Sequence, residues 1–414
     1  MSRRRLRFIH SSDWHLESPL GGLANVPERL RGPFLDAPYR AAERVVAAAL
    51  AEQADFVVLA GDIIDVELAG PHGIDFLRRQ FTRLAERQIP VYWAGGRVDR
   101  PERWPAALPL PENVHRFSSR RPHDFVFEAG NAPQARLTGL SRPRGGKIRA
   151  ADFWPDPDGL PTIAVAHGRV DRAALAARGL TYWALGGKHR RTTLLETPHA
   201  AEYAGSTQAR GPAETGSSSC TAVEIDEEGA VHARPISTDV VRWHTRRVVV
   251  GDATTAEALE GLLIEQLNDL CRGTPGLHLL VSWTVQGTGP LIATLRRGKR
   301  TTEILARLRR RYEAENPVVW PLGLEVEAEA AVPPAWLEQD SLLGDYLRSL
   351  VHFDGRVDTT VADLVGPLRD LAGRHPAAAD LECLIGLSDV ERRKVLQKAA
   401  ALGADLLTCE EARP

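Results

Sequence analysis

Apolar positions fall into two rhythms along the first half of the chain. Leu6–His10 is a short β-rich run ending in polar residues, and Phe56–Ala60 (FVVLA) reads as a buried strand that stops at Gly61. Between them Tyr39–Gln53 carries Ala, Val and Leu at helical spacing. Ile74–Arg87 repeats that pattern ahead of a strand at Val91–Ala94 and a Gly-Gly turn. This alternation predicts a layered α/β domain. A strand at Thr162–Ala166, a helix at Ala173–Arg178 and a strand at Tyr182–Leu185 continue it. Thr221–Ile225 and Val231–Ile236 flank Glu227-Glu228-Gly229, a hairpin signal, so β structure is expected to about residue 240.

The pattern then changes. Strands are predicted at Arg247–Val250, Leu277–Gln286 and Leu322–Glu329, with helices at Thr255–Cys271 and Thr301–Glu315, which together form a small α+β module. Val332-Pro333-Pro334 reads as a linker. Beyond it Leu342–Leu350, Val361–Leu371 and Val390–Leu402 have helical periodicity. Three regions result: 1–240, 241–332 and 333–414.

Composition narrows the class. The 414 residues are 43% hydrophobic and 26% charged, as in ordinary globular chains, and the formal net charge is −2. The stretch from Pro333 onward holds 9 basic and 14 acidic residues, so the acidic charge gathers at that end. Only 5 of the 52 cations are Lys, an Arg bias that weakens any argument from Arg runs alone. Cys220, Cys271, Cys383 and Cys409 are scattered without zinc spacing and read as reduced, non-ligand thiols of a cytoplasmic protein. No apolar h-region follows MSRRRLR, so no signal peptide is read, and no apolar run approaches the length of a membrane span.

The candidate chemistry sits where predicted strands stop. Asp13-Trp14-His15 follows the first strand, and in an extended segment residues i and i+2 face the same way and can grip one ion. Gly61-Asp62-Ile63-Ile64-Asp65 follows the second strand, and His167 and His189 follow two later ones. Carboxylate and neutral imidazole together suit a borderline divalent ion, and the carboxyl ends of strands are where open α/β sheets bind ligands.

The ordered set SDWH, GDIID, AHG and ALGGKHRR resembles the calcineurin-like metallophosphoesterases. Within them it is most similar to SbcD-type DNA repair exonuclease subunits. FIHSSDWHLESPLGGL and GSTQARGPAETG point to the YhaO-like subgroup. The resemblance covers about residues 6–240. It implies a four-layer metallophosphoesterase sandwich of two mixed β-sheets flanked by helices, a small α+β capping domain and a helical C-terminal region. It also implies manganese-dependent hydrolysis of DNA phosphodiesters in a repair complex with an SbcC-like coiled-coil ATPase. A homodimer is left open, and no membrane partner is implied.

By position the family's first metal site is Asp13, His15, Asp62 and His189. The second shares Asp62 and keeps His167, but the first His of GHxH is Gly187. GNHD reads Gly96-Arg97-Val98-Asp99, which removes an Asn ligand and the catalytic His. One ion is therefore expected instead of two, with weakened catalysis. Arg97 is read either as an electrostatic substitute for the missing ion or as a residue that points to solvent or pairs with Asp99. His10 either lines the cleft or bonds a strand end, and Asp65 either orients a ligand or caps a helix. Lys188, an ammonium, is no replacement ligand. A basic run at 296–311 offers phosphate contacts or a solvated helix face. Leu387, Val390, Val395, Leu396, Ala399 and Leu402 form a docking stripe for the ATPase or an internal core stripe. A catalytically silent DNA-binding scaffold and a small-substrate phosphodiesterase are the alternative functions.

Overall fold

A computed structural model describes residues 4–21, 23, 26–142, 144–287, 290–296, 298–327, 334–355, 396, 399, 400 and 403. The helix expected at 361–371, all of the one expected at 390–402 except Leu396, Ala399 and Ala400, most of the docking stripe (Leu387, Val390, Val395, Leu402), Val332, Pro333, Arg297, Cys383 and Cys409 lie outside these residues.

Two six-stranded sheets dominate. The first contains β1 (Leu6–Ser11), β2 (Phe56–Leu59), β3 (Val91–Trp93) and β4 (Val114–Arg116). The second contains β5 (His123–Ala129), β6 (Ala132–Leu140), β7 (Thr162–His167), β8 (Tyr182–Gly186), β9 (Thr192–Leu195) and β10 (Ala200–Tyr203). The chain returns to the first sheet as the hairpin β11 (Ser219–Ile225) and β12 (Val231–Ser237). The orders are β12-β11-β1-β2-β3-β4 and β5-β6-β7-β8-β10-β9. Each sheet is mixed, since β1 pairs parallel with β2 and antiparallel with β11, and β8 is parallel to β7 while β9 is antiparallel to β10.

Alternation along the strands builds the layers. Phe8, Phe56, Val58 and Tyr92 of the first sheet face Ile163, Val165, Tyr182 and Ala184 of the second. Their neighbours Ile9, Val57, Leu59 and Trp93 point the other way, onto α2 (Ala37–Ala51) and α3 (Val66–Ala85), which follow α1 (Glu28–Leu35). On the outer face of the second sheet Ala164, Trp183 and Leu185 pack with Phe153 and with Leu175 of α4 (Arg172–Ala176). Strands with both faces covered read as continuous apolar runs, which is why FVVLA and TIAVA carry no polar alternation. This is the two-sheet, helix-flanked α/β architecture expected from the sequence.

The chain divides into two compact units. The first comprises Met1–Thr245, Leu270–Val281 and Tyr312–Leu322, and everything below on the candidate centre lies in it. The second comprises Arg246–Asp269, Ser282–Arg311 and Gly323–Pro414. The remaining strands, β13 (Val241–Val250), β14 (His278–Gly287) and β15 (Val319–Val326), form a three-stranded sheet in that order. The remaining helices are α5 (Ala256–Gly273), α6 (Pro290–Arg296), α7 (Lys299–Arg311), α8 (Pro334–Leu337) and α9 (Leu342–Gly355). In the second unit Ala400 packs against Leu343 and Leu347. No helix among the described residues is long and apolar enough to cross a membrane.

Candidate metal centre

The loops that leave β1 and β2 run side by side. Asp13 N–H donates to the Gly61 carbonyl at 2.9 Å, His15 N–H to Asp62 at 3.0 Å and Leu16 N–H to Ile63 at 3.1 Å. Asp13, His15 and Asp62 all take left-handed backbone angles, φ 53°, 45° and 54°. Non-glycine residues avoid that region because Cβ crowds the following carbonyl. Such strain persists only where surrounding structure imposes it, and it clusters at functional sites. The expectation that Asp13 and His15 align along an extended segment is thus replaced by a curled loop that brings them together.

Each carboxylate has one engaged and one available oxygen. Asp13 Oδ2 accepts from Ser12 Oγ at 2.7 Å and from the Gly187 amide at 2.9 Å, while Oδ1 is buried without a hydrogen-bond partner. Asp62 Oδ1 accepts from the amides of Arg97 and Val98, the latter at 3.0 Å. Its Oδ2 lies 3.3 Å from His167 Nε2 and 3.7 Å from His15 Nε2. His15 Nδ1 meets Glu17 Oε1 at 2.9 Å, and Glu17 Oε2 accepts the Asp65 amide at 3.0 Å. His15 Nε2 is thereby turned inward, where it is buried and unpartnered. His167 Nδ1 sits 2.9 Å from the Ala60 carbonyl, which assigns the proton to Nδ1 and the lone pair to Nε2 when the ring is neutral.

Two overlapping triads result, Asp13–His15–His189 and Asp13–Asp62–His167, each with ligand atoms within 4.8 Å of one another. A divalent cation fits them. The donors are the mixed carboxylate and imidazole set such ions take, and Asp13 Oδ1 and His15 Nε2 are buried polar atoms that nothing else satisfies. The structure contains no ion. Without one, Asp62 is held well below the usual carboxylate range: burial opposes this, but the hydrogen bond and charge of His167 prevail. His167 is correspondingly raised to about 9, burial again opposing and Asp62 prevailing.

The other sequence candidates fall into place around this core. His189 is 39% exposed at its side chain and its ring lies edge-on to His15 at 5.6 Å. Asp99 is buried and supports the loops. Its Oδ1 accepts from the Asp62 and Gly96 amides and its Oδ2 from the Ile63 amide and Trp93 Nε1, at 2.6 to 3.0 Å. Burial, then the charge of Asp62, pushes its pKa up. Arg97 is exposed at its side chain and meets Asp62 through its backbone amide. His10 is fully buried between the sheets, with Nδ1 3.0 Å from Tyr182 Oη, and burial pushes its pKa down to about 3. Asp65 caps α3, accepting from the amides of Glu67 and Leu68. Lys188 lies with its ammonium 4.5 Å from the Tyr203 ring centroid. The basic run belongs instead to the second unit, where Arg300 pairs with Glu303 and Arg307 with Glu260.

Several contributors carry no signal in the sequence. Glu17 orients His15, although its position two residues along the chain says nothing of chemistry. Glu214 Oε1 lies 2.6 Å from His189 Nδ1, and the Arg210 guanidinium is within 3.0 Å of both His189 nitrogens. Both sit in GSTQARGPAETG, 21 and 25 residues beyond His189, and only the fold unites them. Gly187 has φ 100°, and a Cβ there would lie 3.1 Å from His167 Nε2. The position therefore faces the second triad and offers it no side chain.

The family model of calcineurin-like phosphoesterases matches residues 6–194. An uncharacterized metallophosphoesterase of Bacillus subtilis, YhaO, is 30% identical over 338 residues, covering 78% of this chain and 82% of that protein. Among solved structures, a dimetal phosphatase from Danio rerio aligns with 11% identity over 56% of this chain and 96% of its own, with a TM-score of 0.35. The zinc complex of Vps29 from Entamoeba histolytica aligns with 14% identity over 56% of this chain and 100% of its own, with a TM-score of 0.26.

Proposed function

The chain belongs to the calcineurin-like phosphoesterase family, and on that premise we propose that it hydrolyses phosphodiesters slowly at one tightly held divalent ion, manganese by preference. The observation that carries this reading is the pair of buried, unpartnered donors Asp13 Oδ1 and His15 Nε2 on left-handed loops. A divalent ion held there supplies Lewis-acid stabilisation of phosphoryl charge and activation of the attacking water. Asp13, His15, Asp62 and His189 would hold it. Glu17 and Glu214 fix the imidazoles from behind, and Asp99 pins the Asp62 loop. Arg97, exposed beside the centre, offers its fork to a phosphate oxygen.

The rate is low for reasons that lie in this chain. Val98 stands where the family places a catalytic His, and an isopropyl group moves no proton. General acid–base help is worth about 10²–10⁴-fold. Gly187 gives the second triad no imidazole, which supports one tight site and a weak second one formed by Asp62 and His167. The resemblance to SbcD-type subunits supports DNA as the substrate, an SbcC-like ATPase as the partner and the cytoplasm as the location. The same two residues, Val98 and Gly187, favour a second reading, a silent DNA-binding scaffold in that complex.

Turnover of bis(p-nitrophenyl) phosphate with manganese tests the first reading. Slow hydrolysis that Asp62→Ala abolishes supports it. No release above the Asp62→Ala background overturns it and leaves the scaffold.

A further inference from the structure

A second concave surface of the first unit is strongly charged. It is a groove of about 1010 Å³, formed where the loop after Asp99, the segment Ser119–Pro122 and the turn Ala151–Trp154 meet. Arg100, Arg103, Arg120, Arg121 and Arg142 line it, against the two acids Glu102 and Asp152. Glu102 accepts a hydrogen bond from Ser119, and Asp152 lies 3.9 Å from Arg149 outside the groove. The groove therefore concentrates positive charge in a chain whose net charge is −2. The Arg bias of the sequence explains why these cations are Arg. It does not explain why five converge on one hollow with so few acids.

An aromatic ring stands at the rim. Trp154 is 60% exposed. The Arg178 guanidinium lies 3.8 Å from its ring centroid and is itself fixed by a hydrogen bond to the Phe153 carbonyl at 3.1 Å. A cation backs one side of the indole while much of the ring remains open to solvent. The groove is also tied to the metal centre. The Arg142 amide donates to the Gly95 carbonyl at 2.7 Å. Arg100 lies three residues beyond Arg97, whose amide meets Asp62, and three residues span at most about 11 Å.

We propose that this groove binds single-stranded nucleic acid, its arginines following the phosphates and Trp154 stacking on a base, and that it leads one phosphodiester to the metal centre. Only that last step rests on the phosphodiesterase reading. Spaced cations with an open aromatic face are what single strands use, because every base has a π-face and the backbone carries the charge. A duplex keeps its bases stacked and out of reach of an indole at a groove rim. A protein partner would want an apolar centre, whereas the apolar lining here is Pro122, Leu140, Ala151 and Trp154 against five arginines.

The test is fluorescence anisotropy with a fluorescein-labelled oligothymidylate of about 20 nucleotides and the full chain in EDTA, so that binding is read without turnover. The expected result is a preference of at least about tenfold for this strand over a duplex of the same length. The logarithm of affinity should fall against that of salt with a slope near about −3.5, from five phosphate contacts at about 0.7 each on single strands. Arg120→Ala with Arg121→Ala should shrink the slope by about 1.4. Trp154→Ala should weaken binding about tenfold without changing the slope, and Trp154→Phe should keep it. Equal affinity for duplex, no effect of Trp154→Ala, or equal competition by polyglutamate would overturn the proposal, the last pointing to an acidic protein partner. None of these variants touches the metal centre, so bis(p-nitrophenyl) phosphate turnover should not change. Absence of strand binding by the wild-type chain with turnover intact removes this proposal alone, whereas binding without turnover removes only the phosphodiesterase reading.

Discussion

Glu17→Gln distinguishes an imposed ligand geometry from mere proximity. The Glu17 carboxylate takes His15 Nδ1 at 2.9 Å and the Asp65 amide at 3.0 Å. Burial opposes its charge, yet these two bonds hold its pKa below the usual value. Gln has the same shape but a single acceptor oxygen, so whichever donor it takes, its own NH₂ faces the other. A hydrogen bond to a charged group contributes about 1.5–3 kcal/mol, and each 1.4 kcal/mol or so is tenfold in binding. That corresponds to about ten- to hundredfold, the same range seen when the carboxylate behind a ligating imidazole is removed. Isothermal titration of manganese into metal-free protein near neutral pH should show that loss, with an unchanged circular dichroism spectrum. Affinity within about twofold of the wild type would refute the reasoning, because His15 would then need no orienting partner to bind. The same exchange at Glu214, behind the more exposed His189, should cost less, since water can replace the lost acceptor.

Four further outcomes follow from the same geometry. In metal-free protein His167, raised to about 9, contributes stability that is complete below its unfolded value of about 6.5 and is lost as pH rises through 9. Urea unfolding in EDTA should therefore weaken by up to about 3 kcal/mol across that window, and His167→Gln should flatten the dependence. Adding manganese at about a hundredfold excess over its Kd should stabilise the wild type by about 2.7 kcal/mol, a gain that Asp13→Ala removes in a thermal melt. Val98→His places a proton-transfer group beside Asp62 and should raise kcat for a dinucleoside phosphodiester, whose alkoxide leaving group needs a proton, by about a hundredfold; an unchanged kcat would show that protonation does not limit the rate. Gly187→Ala places a Cβ 3.1 Å from His167 Nε2 at φ 100° and should cost about 1–3 kcal/mol of stability by denaturant titration.

The layered α/β core was legible because its strands are short apolar runs punctuated by Gly and Asp. The candidate ligands were legible because they stand where those runs end. What could not be read were contacts between distant loops. β5 and β6 pair from His123 to Gly139 around Gly130-Asn131, a two-residue turn with both residues at positive φ, yet HDFVFEA is half polar and does not read as a strand. The first turns of α3 were hidden by Gly70-Pro71, where Gly70 leaves the helical region at φ 61° and the helix is interrupted before it resumes. The i, i+2 argument for Asp13 and His15 assumed an extended chain, whereas the loop is left-handed at both residues. Glu17, Arg210 and Glu214 acquire a role only once β1, β8 and the loop after β10 are brought side by side. The groove at Trp154 gathers its arginines from three separate stretches of chain.

The most direct test of the central claim is anomalous diffraction from crystals soaked in manganese. One strong peak per chain is expected, bound by Asp13 and His15 together with Asp62 or His189. Two peaks of equal height, or a peak away from these residues, would contradict it.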